Sequence, residues 1–222
     1  MMSGACVQQT QPLRFIDREL FPYLVKVTKL FAAHIDADPR DVVLVPNATT
    51  ALNSVLQSVP LAKGEVVVFF DTTYASVKKM VRKVCHERGA VATEKTLPVL
   101  HAHLSPDALA HAIVGLMPDA CKVVILDHIS SNEALLLPLS LLVPLMQARG
   151  ALVLVDGAHG LAATTLSVTE VGADYYCGNC HKWFCAPRGV GFLHVNHARL
   201  ARIAPDLPPA PNINVVACST KT

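Results

Sequence analysis

The chain has 222 residues and a formal net charge of +2, with 52% hydrophobic and 16% charged residues. This composition allows a sizeable core, in one large domain or two small ones. The lysines and arginines form no basic stripe, which argues against nucleic-acid binding, and no apolar run has the roughly 18–20 residues of a membrane helix. Seven cysteines and no signal peptide predict free thiols in a reducing compartment, and therefore a soluble cytoplasmic protein.

Hydrophobic periodicity predicts alternating helices and strands behind a flexible N-terminal segment, residues 1–12. Apolar residues recur every three or four positions from Arg18 to His34, which indicates a helix. Short apolar runs predict seven strands, at Val42–Val45, Val66–Phe70, Ala90–Thr93, Lys122–Leu126, Ala151–Val155, Ala173–Tyr176 and Gly191–Val195. Helical patterns lie between them, at Thr49–Val59, Tyr74–Arg88, Ser105–Leu116 and Leu139–Ala148.

Residues typical of helix ends support several of these boundaries. Ser105, followed by Pro106 and Asp107, is a good helix N-terminus, with a capping hydroxyl, proline at the first helical position and an acid in the first turn. Gly89 and Gly150 stand where glycine commonly ends a helix.

The predicted strands are near-continuous runs of Val, Ile and Leu, as in strands buried on both faces. Their alternation with helices predicts an α/β fold, a mainly parallel sheet sandwiched by helices, over residues 13–204. Residues 205–222 are rich in proline and lack periodicity, which predicts an unstructured tail. Ligands bind such sheets at the carboxyl ends of the strands, and four residues are predicted just past a strand: Asn47, Asp127, Asp156 and Cys177.

A turn of small and hydroxyl residues, Pro46–Ala51, joins a predicted strand to a predicted helix. The backbone amides at a helix N-terminus are free to bind an anion, and the hydroxyls of Thr49 and Thr50 add donors for a phosphate. The alternative is an ordinary N-terminal cap with no ligand.

A carboxylate and an amine follow further along the chain. Asp156 ends the most apolar strand, where an ionised carboxylate needs a partner. Lys182 follows His181 and precedes two aromatic residues, and apolar surroundings lower the pKa of a lysine amine. Pyridoxal phosphate (PLP) requires such a pair, an amine for a Schiff base and a carboxylate for its pyridine nitrogen. The alternatives are an Asp156 that caps the next turn and a lysine that is a solvated surface charge.

Cysteines near the candidate lysine allow another interpretation. Residues 177–181 spell the C-x-x-C-H pattern of haem attachment, and Cys177, Cys180 and Cys185 could be metal ligands. Haem attachment usually belongs to exported proteins, and a zinc site would need a fourth ligand at suitable spacing. We therefore predict no metal site and treat these thiols as small core residues.

Six motifs follow one another between about residues 12 and 204: Val45–Thr50, Tyr74, Asp127–Ser131, Asp156–His159, His181–Lys182 and Pro187–Phe192. In this order they resemble the PLP-dependent enzymes of fold type I, aminotransferase class V. Within that class the chain is similar to the isopenicillin N epimerase-like and hercynylcysteine sulfoxide lyase-like branch, whose members are related to the cysteine desulfurases.

The resemblance implies a role for each of ten residues. Lys182 would form the Schiff base and then act as general base and acid at the substrate Cα. Asp156 would pair with the pyridinium nitrogen, and His159 would bond toward the phenolic oxygen of the ring. Tyr74 would stack on the ring, and Ser130 would lie near its substrate side. The phosphate would be held by Ala48, Thr49, Thr50, Asn179 and His181.

The resemblance also implies an enzyme that acts at the Cα or Cβ of a small amino acid, possibly a sulfur-containing one, as a C–S lyase, epimerase or aminotransferase. It further implies a homodimer. The chain is about half a usual subunit of the family, and the segment before Arg14 and the small C-terminal domain that supplies an arginine for the substrate carboxylate are missing. A second hypothesis is therefore a truncated, catalytically silent isoform that retains only the cofactor-binding core.

Overall fold

A computed structural model describes residues 10–98 and 104–203, without the side chains of residues 202 and 203. Seven strands form one sheet: β1 Val42–Val45, β2 Val66–Phe70, β3 Val91–Lys95, β4 Cys121–Asp127, β5 Leu152–Asp156, β6 Tyr175–Asn179 and β7 Gly191–Val195. The helices are α1 Leu20–His34, α2 Ala48–Ser58, α3 Ala75–Arg88, α4 Pro106–Gly115, α5 Leu139–Ala148, α6 Val168–Val171 and α7 His197–Ile203.

The strand order is β1-β7-β6-β5-β4-β2-β3. Strand β7 runs antiparallel to both of its neighbours, and the pairs among β6, β5, β4, β2 and β3 are parallel. The predicted α/β fold with a mainly parallel sheet is therefore confirmed. Because β1 is antiparallel to β7, it runs in the same direction as these five strands, and six strands consequently end at the same edge of the sheet.

Each face of the sheet carries its own hydrophobic core. On one face, α1, α4, α5 and α6 pack over inward side chains such as Val124 and Tyr176. On the other, α2, α3 and α7 pack over Ile125 and Leu154. Because successive side chains of a strand point to opposite faces, strands buried on both sides must be apolar throughout. This explains the continuous Val, Ile and Leu runs.

Most predicted elements are present within one or two residues of their predicted ends, and the helix boundaries behave as expected. The Ser105 hydroxyl accepts the Ala108 amide at 3.3 Å, and Gly89 and Gly150 adopt positive φ angles of 68° and 82°. The residues ahead of α1 differ from the prediction, since Phe15–Glu19 form a π-helical turn. Pro22 has no N–H for the carbonyl of Arg18, which favours this local widening.

One predicted boundary is wrong. Cys177 lies in the middle of β6, not past its end, because β6 continues to Asn179 by pairing with β7. Periodicity stopped at Tyr176 because the next residues are small, yet a small residue is what the packing requires. A Cβ on Gly178 would lie 2.5 Å from the Phe192 ring.

Two predicted segments fall largely outside the described residues, the flexible segment 1–12 and the tail 205–222. Residues 10–12 are described, and a helical turn, Pro12–Arg14, begins there. Helices α6 and α7 and the 3₁₀ turn Pro39–Asp41 were not predicted, since each is too short for periodicity to reveal. In the described part of the chain, no helix is long and apolar enough to cross a membrane.

Candidate active site

Three polar side chains end three adjacent strands. Asp127, Asp156 and Asn179 are the last residues of β4, β5 and β6, and each is at least nine-tenths buried. Asp127 and Asp156 are partners in the parallel register. The turns that follow β5 and β6 carry His159 and Lys182. The carboxyl edge of the sheet therefore gathers most of the predicted site residues.

Lys182 and His159 meet above this edge. The Lys182 Nζ lies 2.8 Å from the His159 Nε2, and the Trp183 indole N–H donates to the His159 Nδ1 at 3.2 Å. The turn carrying His159 packs tightly on Tyr176, because a Cβ on Gly157 would lie 2.3 Å from the Tyr176 ring. Glycine is therefore required there if His159 is to reach the lysine.

Charge and burial around Lys182 suit a reactive amine. Burial lowers the pKa of the Lys182 ammonium, and the carboxylate of Asp156 opposes that shift. Burial also lowers the pKa of His159, with the charge of Lys182 acting in the same direction. Both groups are thus biased toward their neutral forms, which an amine needs if it is to act as a nucleophile.

Asp156 is a buried carboxyl group with an incomplete set of partners. Its Oδ1 accepts the Ala158 amide at 3.0 Å, and within the described residues its Oδ2 has no hydrogen-bond partner. Burial raises its pKa, while the Ala158 bond and the charge of Lys182 act against the shift. A cationic N–H donor at Oδ2 would stabilise the ionised form.

Asp127 lies at the carboxyl edge of the sheet, and the sequence suggested no role for it. The Thr72 hydroxyl donates to its Oδ2 at 3.4 Å. Burial, and next the charge of Asp156, raises the pKa of Asp127 to about 8. Two carboxyl groups that end neighbouring strands cannot both ionise cheaply, so Asp127 remains protonated at neutral pH. The available signal was its position just past a predicted strand, like that of Asp156.

The N-terminus of α2 lies beside the end of β6. The Asn179 Oδ1 accepts the Ala48 amide at 2.9 Å, and the Asn47 Oδ1 accepts the Thr50 amide at 2.8 Å and the Thr50 hydroxyl at 3.1 Å. Both the capping interpretation and the anion-site interpretation therefore have a basis here. In the described part of the chain, the amide of the exposed Thr49 has no hydrogen-bond partner.

We expect Asn179→Ala to destabilise the protein by about 1–3 kcal/mol, because it leaves the buried Ala48 amide without an acceptor. Urea unfolding monitored by circular dichroism measures the change. Asn53→Ala, at an exposed position of α2, is the matched control and should be neutral within about 0.5 kcal/mol. Equal stabilities of the two variants would contradict a structural role for this bond.

The remaining predicted site residues differ in their orientation. The His181 Nδ1 donates to the Val190 carbonyl at 3.0 Å, which leaves Nε2 available to a ligand. The Ser130 hydroxyl accepts the Leu135 amide at 3.1 Å and so stabilises its own turn. Tyr74 directly precedes α3, and 53% of its surface is exposed.

The cysteines are separated by the sheet. Cys177 belongs to the core on the α2 face, Cys180 to the core on the α1 face, and Cys185 is exposed. Burial raises the pKa of the Cys177 thiol well above its usual value and that of Cys180 to about 11. Cys177 and Cys180 pack as small core residues on opposite faces of the sheet, as predicted, whereas the prediction is wrong for Cys185, which is exposed.

An apolar cavity of about 470 Å³ is lined by residues of α4, α5 and α6 and of the loops that follow β4 and β5. Leu109, Leu136 and Leu166 line it, and His128 borders it. None of the ten predicted site residues takes part in its lining. The chemistry-bearing side chains therefore mark the candidate site better than cavity size does.

The family model of aminotransferase class V matches residues 22–222. The chain belongs to the aminotransferase class V family. It is 34% identical over 185 residues to isopenicillin N epimerase of Amycolatopsis lactamdurans, covering 82% of this chain and 46% of the relative. It is 32% identical over 198 residues to an L-cysteine desulfhydrase of Arabidopsis thaliana, covering 83% and 43%. This class V chain thus spans about half the length of these curated relatives.

Solved structures agree with the family assignment at the level of the fold. A complex of the cystine C–S lyase C-DES with cysteine persulfide superposes with a TM-score of 0.79 at 23% identity, covering 89% of this chain and 52% of that one. The Escherichia coli cysteine desulfurase CsdA superposes with a TM-score of 0.71 at 19% identity, covering 90% and 49%. The sheet and helices of this class V chain are therefore those of the large domain of fold type I.

Proposed function

We propose that this class V chain binds PLP and acts at the Cα or Cβ of a small amino acid, as a C–S lyase or an epimerase. One observation carries the proposal. The Lys182 Nζ lies 2.8 Å from the His159 Nε2, at the edge where the buried Asp156 ends β5. A partly buried amine, a buried carboxyl group and a helix N-terminus on one sheet edge are the donor set that PLP requires.

The residues present fit the cofactor. The unpaired Asp156 Oδ2 suits a protonated ring nitrogen, which would offset the cost of burying the carboxylate. The Thr49 amide and hydroxyl suit the phosphate, and the free Nε2 of His181 can add a charged donor when the ring is protonated. When bound, PLP supplies an electron-withdrawing ring that takes up negative charge from the amino-acid Cα.

Each of the three central side chains would then have a role. Lys182 would provide the amine that holds the cofactor covalently, and its Nζ would remove or return the proton at the substrate Cα. His159 lies within hydrogen-bond distance of that amine. Asp156 would keep the ring nitrogen protonated, which would sustain the withdrawal of electrons.

The names of the relatives support the substrate class. Isopenicillin N epimerase and L-cysteine desulfhydrase act, by name, on an amino-acid-derived compound and on cysteine. A small amino acid, possibly sulfur-containing, is therefore the substrate that we propose for this chain. The epimerase and lyase alternatives differ in whether a Cα proton is returned or a bond at Cβ is broken.

We expect PLP to produce a visible absorbance band with the purified chain, and borohydride to remove it. Peptide mapping by mass spectrometry should then find the reduced cofactor on Lys182. A label on another lysine, or no label on a folded protein, would contradict the proposal. A label on Lys182 with neither C–S cleavage nor epimerisation of any amino acid tested would favour the catalytically silent isoform.

We also propose a homodimer in a reducing compartment, the cytoplasm. The described cysteines are unpaired, which supports a reducing environment. Exposed apolar side chains on α1, Tyr23, Val27 and Leu30, support association with a second copy. Sedimentation equilibrium measures the oligomeric state, and a monomer at every concentration tested would contradict the dimer.

A further inference from the structure

The His159 ring contacts the side chains of two consecutive residues, Lys182 and Trp183, one through each ring nitrogen. Its Nε2 faces the Lys182 Nζ at 2.8 Å, and its Nδ1 faces the Trp183 Nε1 at 3.2 Å. Backbone bonds brace the turn that carries both neighbours, since the Cys185 amide donates to the Lys182 carbonyl and the Ala186 amide to the Cys180 carbonyl. The three side chains therefore form a short chain of contacts.

The direction of these hydrogen bonds follows from the chemistry of the indole. An indole N–H can only donate, so the His159 Nδ1 must accept and carries no proton. A neutral imidazole has one proton, which must then be on Nε2. Nε2–H can only donate to Lys182, and the Lys182 nitrogen can accept only as the neutral amine. A charged ammonium would need an unprotonated Nε2, which the indole disfavours.

We propose that Trp183 is a positioning residue that holds His159 in its Nε2–H tautomer and thereby favours the neutral amine of Lys182. The catalytic meaning of this inference rests on the proposed function, in which Lys182 is the reacting amine. Packing does not account for the indole, because Trp183 is 59% exposed. The adjacent Phe184, in contrast, packs on Phe31 and His34.

Burial and the neighbouring charged groups shift the pKa values of both Lys182 and His159. Burial lowers the pKa of Lys182, and the Asp156 carboxylate at the end of β5 raises it. His159, on the turn after β5, has a pKa lowered first by burial and then by the charge of Lys182. The Trp183 indole, like burial, favours the neutral amine of Lys182, whereas Asp156 favours the charged form. Removal of the indole should therefore return Lys182 toward the charged form.

The test uses the cofactor-free chain and does not depend on activity. The rate of acetylation of Lys182 by acetic anhydride is followed against pH by mass spectrometry, since only the neutral amine reacts. We expect Trp183→Phe to slow the reaction at about pH 7.5 by about 3- to 10-fold and to move its midpoint to higher pH. Phe184→Leu, which alters the neighbouring aromatic ring, should leave the midpoint in place.

A double-mutant cycle makes the inference specific. In a His159→Ala background, Trp183→Phe should have no further effect, because the indole acts through the imidazole. ¹⁵N NMR of labelled histidine should find the His159 proton on Nε2 in the wild type and both tautomers in Trp183→Phe. An unchanged acetylation profile in Trp183→Phe, or an effect that persists without His159, would overturn the inference. Failure of PLP to label Lys182 would refute the proposed function. The acetylation and NMR experiments would still test the role of Trp183, because they use the cofactor-free chain.

Discussion

Lys182→Ala is expected to abolish both the covalent cofactor link and turnover. Among the described lysines, only Lys182 has its amine within hydrogen-bond distance of His159 and a charge that acts on Asp156. The variant loses the nucleophilic amine and the group that moves the Cα proton, and the second loss alone typically costs about 10²–10⁴ in rate. We therefore expect turnover to fall by at least about 10³-fold. The measurement combines the absorbance of the PLP-loaded protein with an assay of sulfide or pyruvate release.

The matched control is Lys29→Ala, at an exposed position on α1. It should retain the absorbance band and full turnover, because a solvated lysine contributes little to the fold or the site. The Lys182 variant should keep its circular dichroism spectrum, because without the Lys182 charge the buried Asp156 carboxyl group can remain protonated. A borohydride-stable label that persists in Lys182→Ala would assign the link to another residue.

The cofactor-free protein is expected to lose stability as pH rises from 6.5 to 8. Burial, and next the charge of Asp156, raises the pKa of Asp127 to about 8, above the roughly 3.9 of an unfolded aspartate. In this window the unfolded chain is already ionised at this position while the folded chain still binds the proton, so the free energy of unfolding falls as pH rises. At about 1.4 kcal/mol per pH unit, Asp127 alone costs about 2 kcal/mol over this range.

The range from pH 6.5 to 8 separates the effect of Asp127 on stability from that of the buried histidines His128 and His194. Burial lowers the pKa of His128 and of His194 to about 4, so their contribution is complete above the roughly 6.5 of an unfolded histidine and is lost only at lower pH. Urea unfolding at several pH values measures the slope. Asp127→Asn should flatten it, because an amide does not titrate. A wild-type protein equally stable at pH 6.5 and 8 would contradict a neutral, buried Asp127.

Much of the candidate site was predictable because local sequence marks it. Asp156 ends an apolar strand, and Lys182 sits between a histidine and two aromatic residues instead of among charges. Contacts between distant segments were not predictable in this way. The Ala48 amide and the Asn179 side chain are 131 residues apart, and their bond depends on the register of β6 against α2. The contact of Trp183 with His159 was not predictable either, because the direction of the Trp183 side chain depends on the conformation of its turn and on the position of His159.

The sequence by itself determined the α/β class, the positions of most elements and the family motifs. Burial on both faces requires continuous apolar strands, and helix ends require capping residues, so both leave local signals. Only the tertiary structure decided that β7 runs antiparallel, that β4 lies beside β5 with Asp127 in register with Asp156, and that Trp183 reaches His159. Those facts depend on strand order and side-chain direction, which arise from packing between segments far apart in the chain.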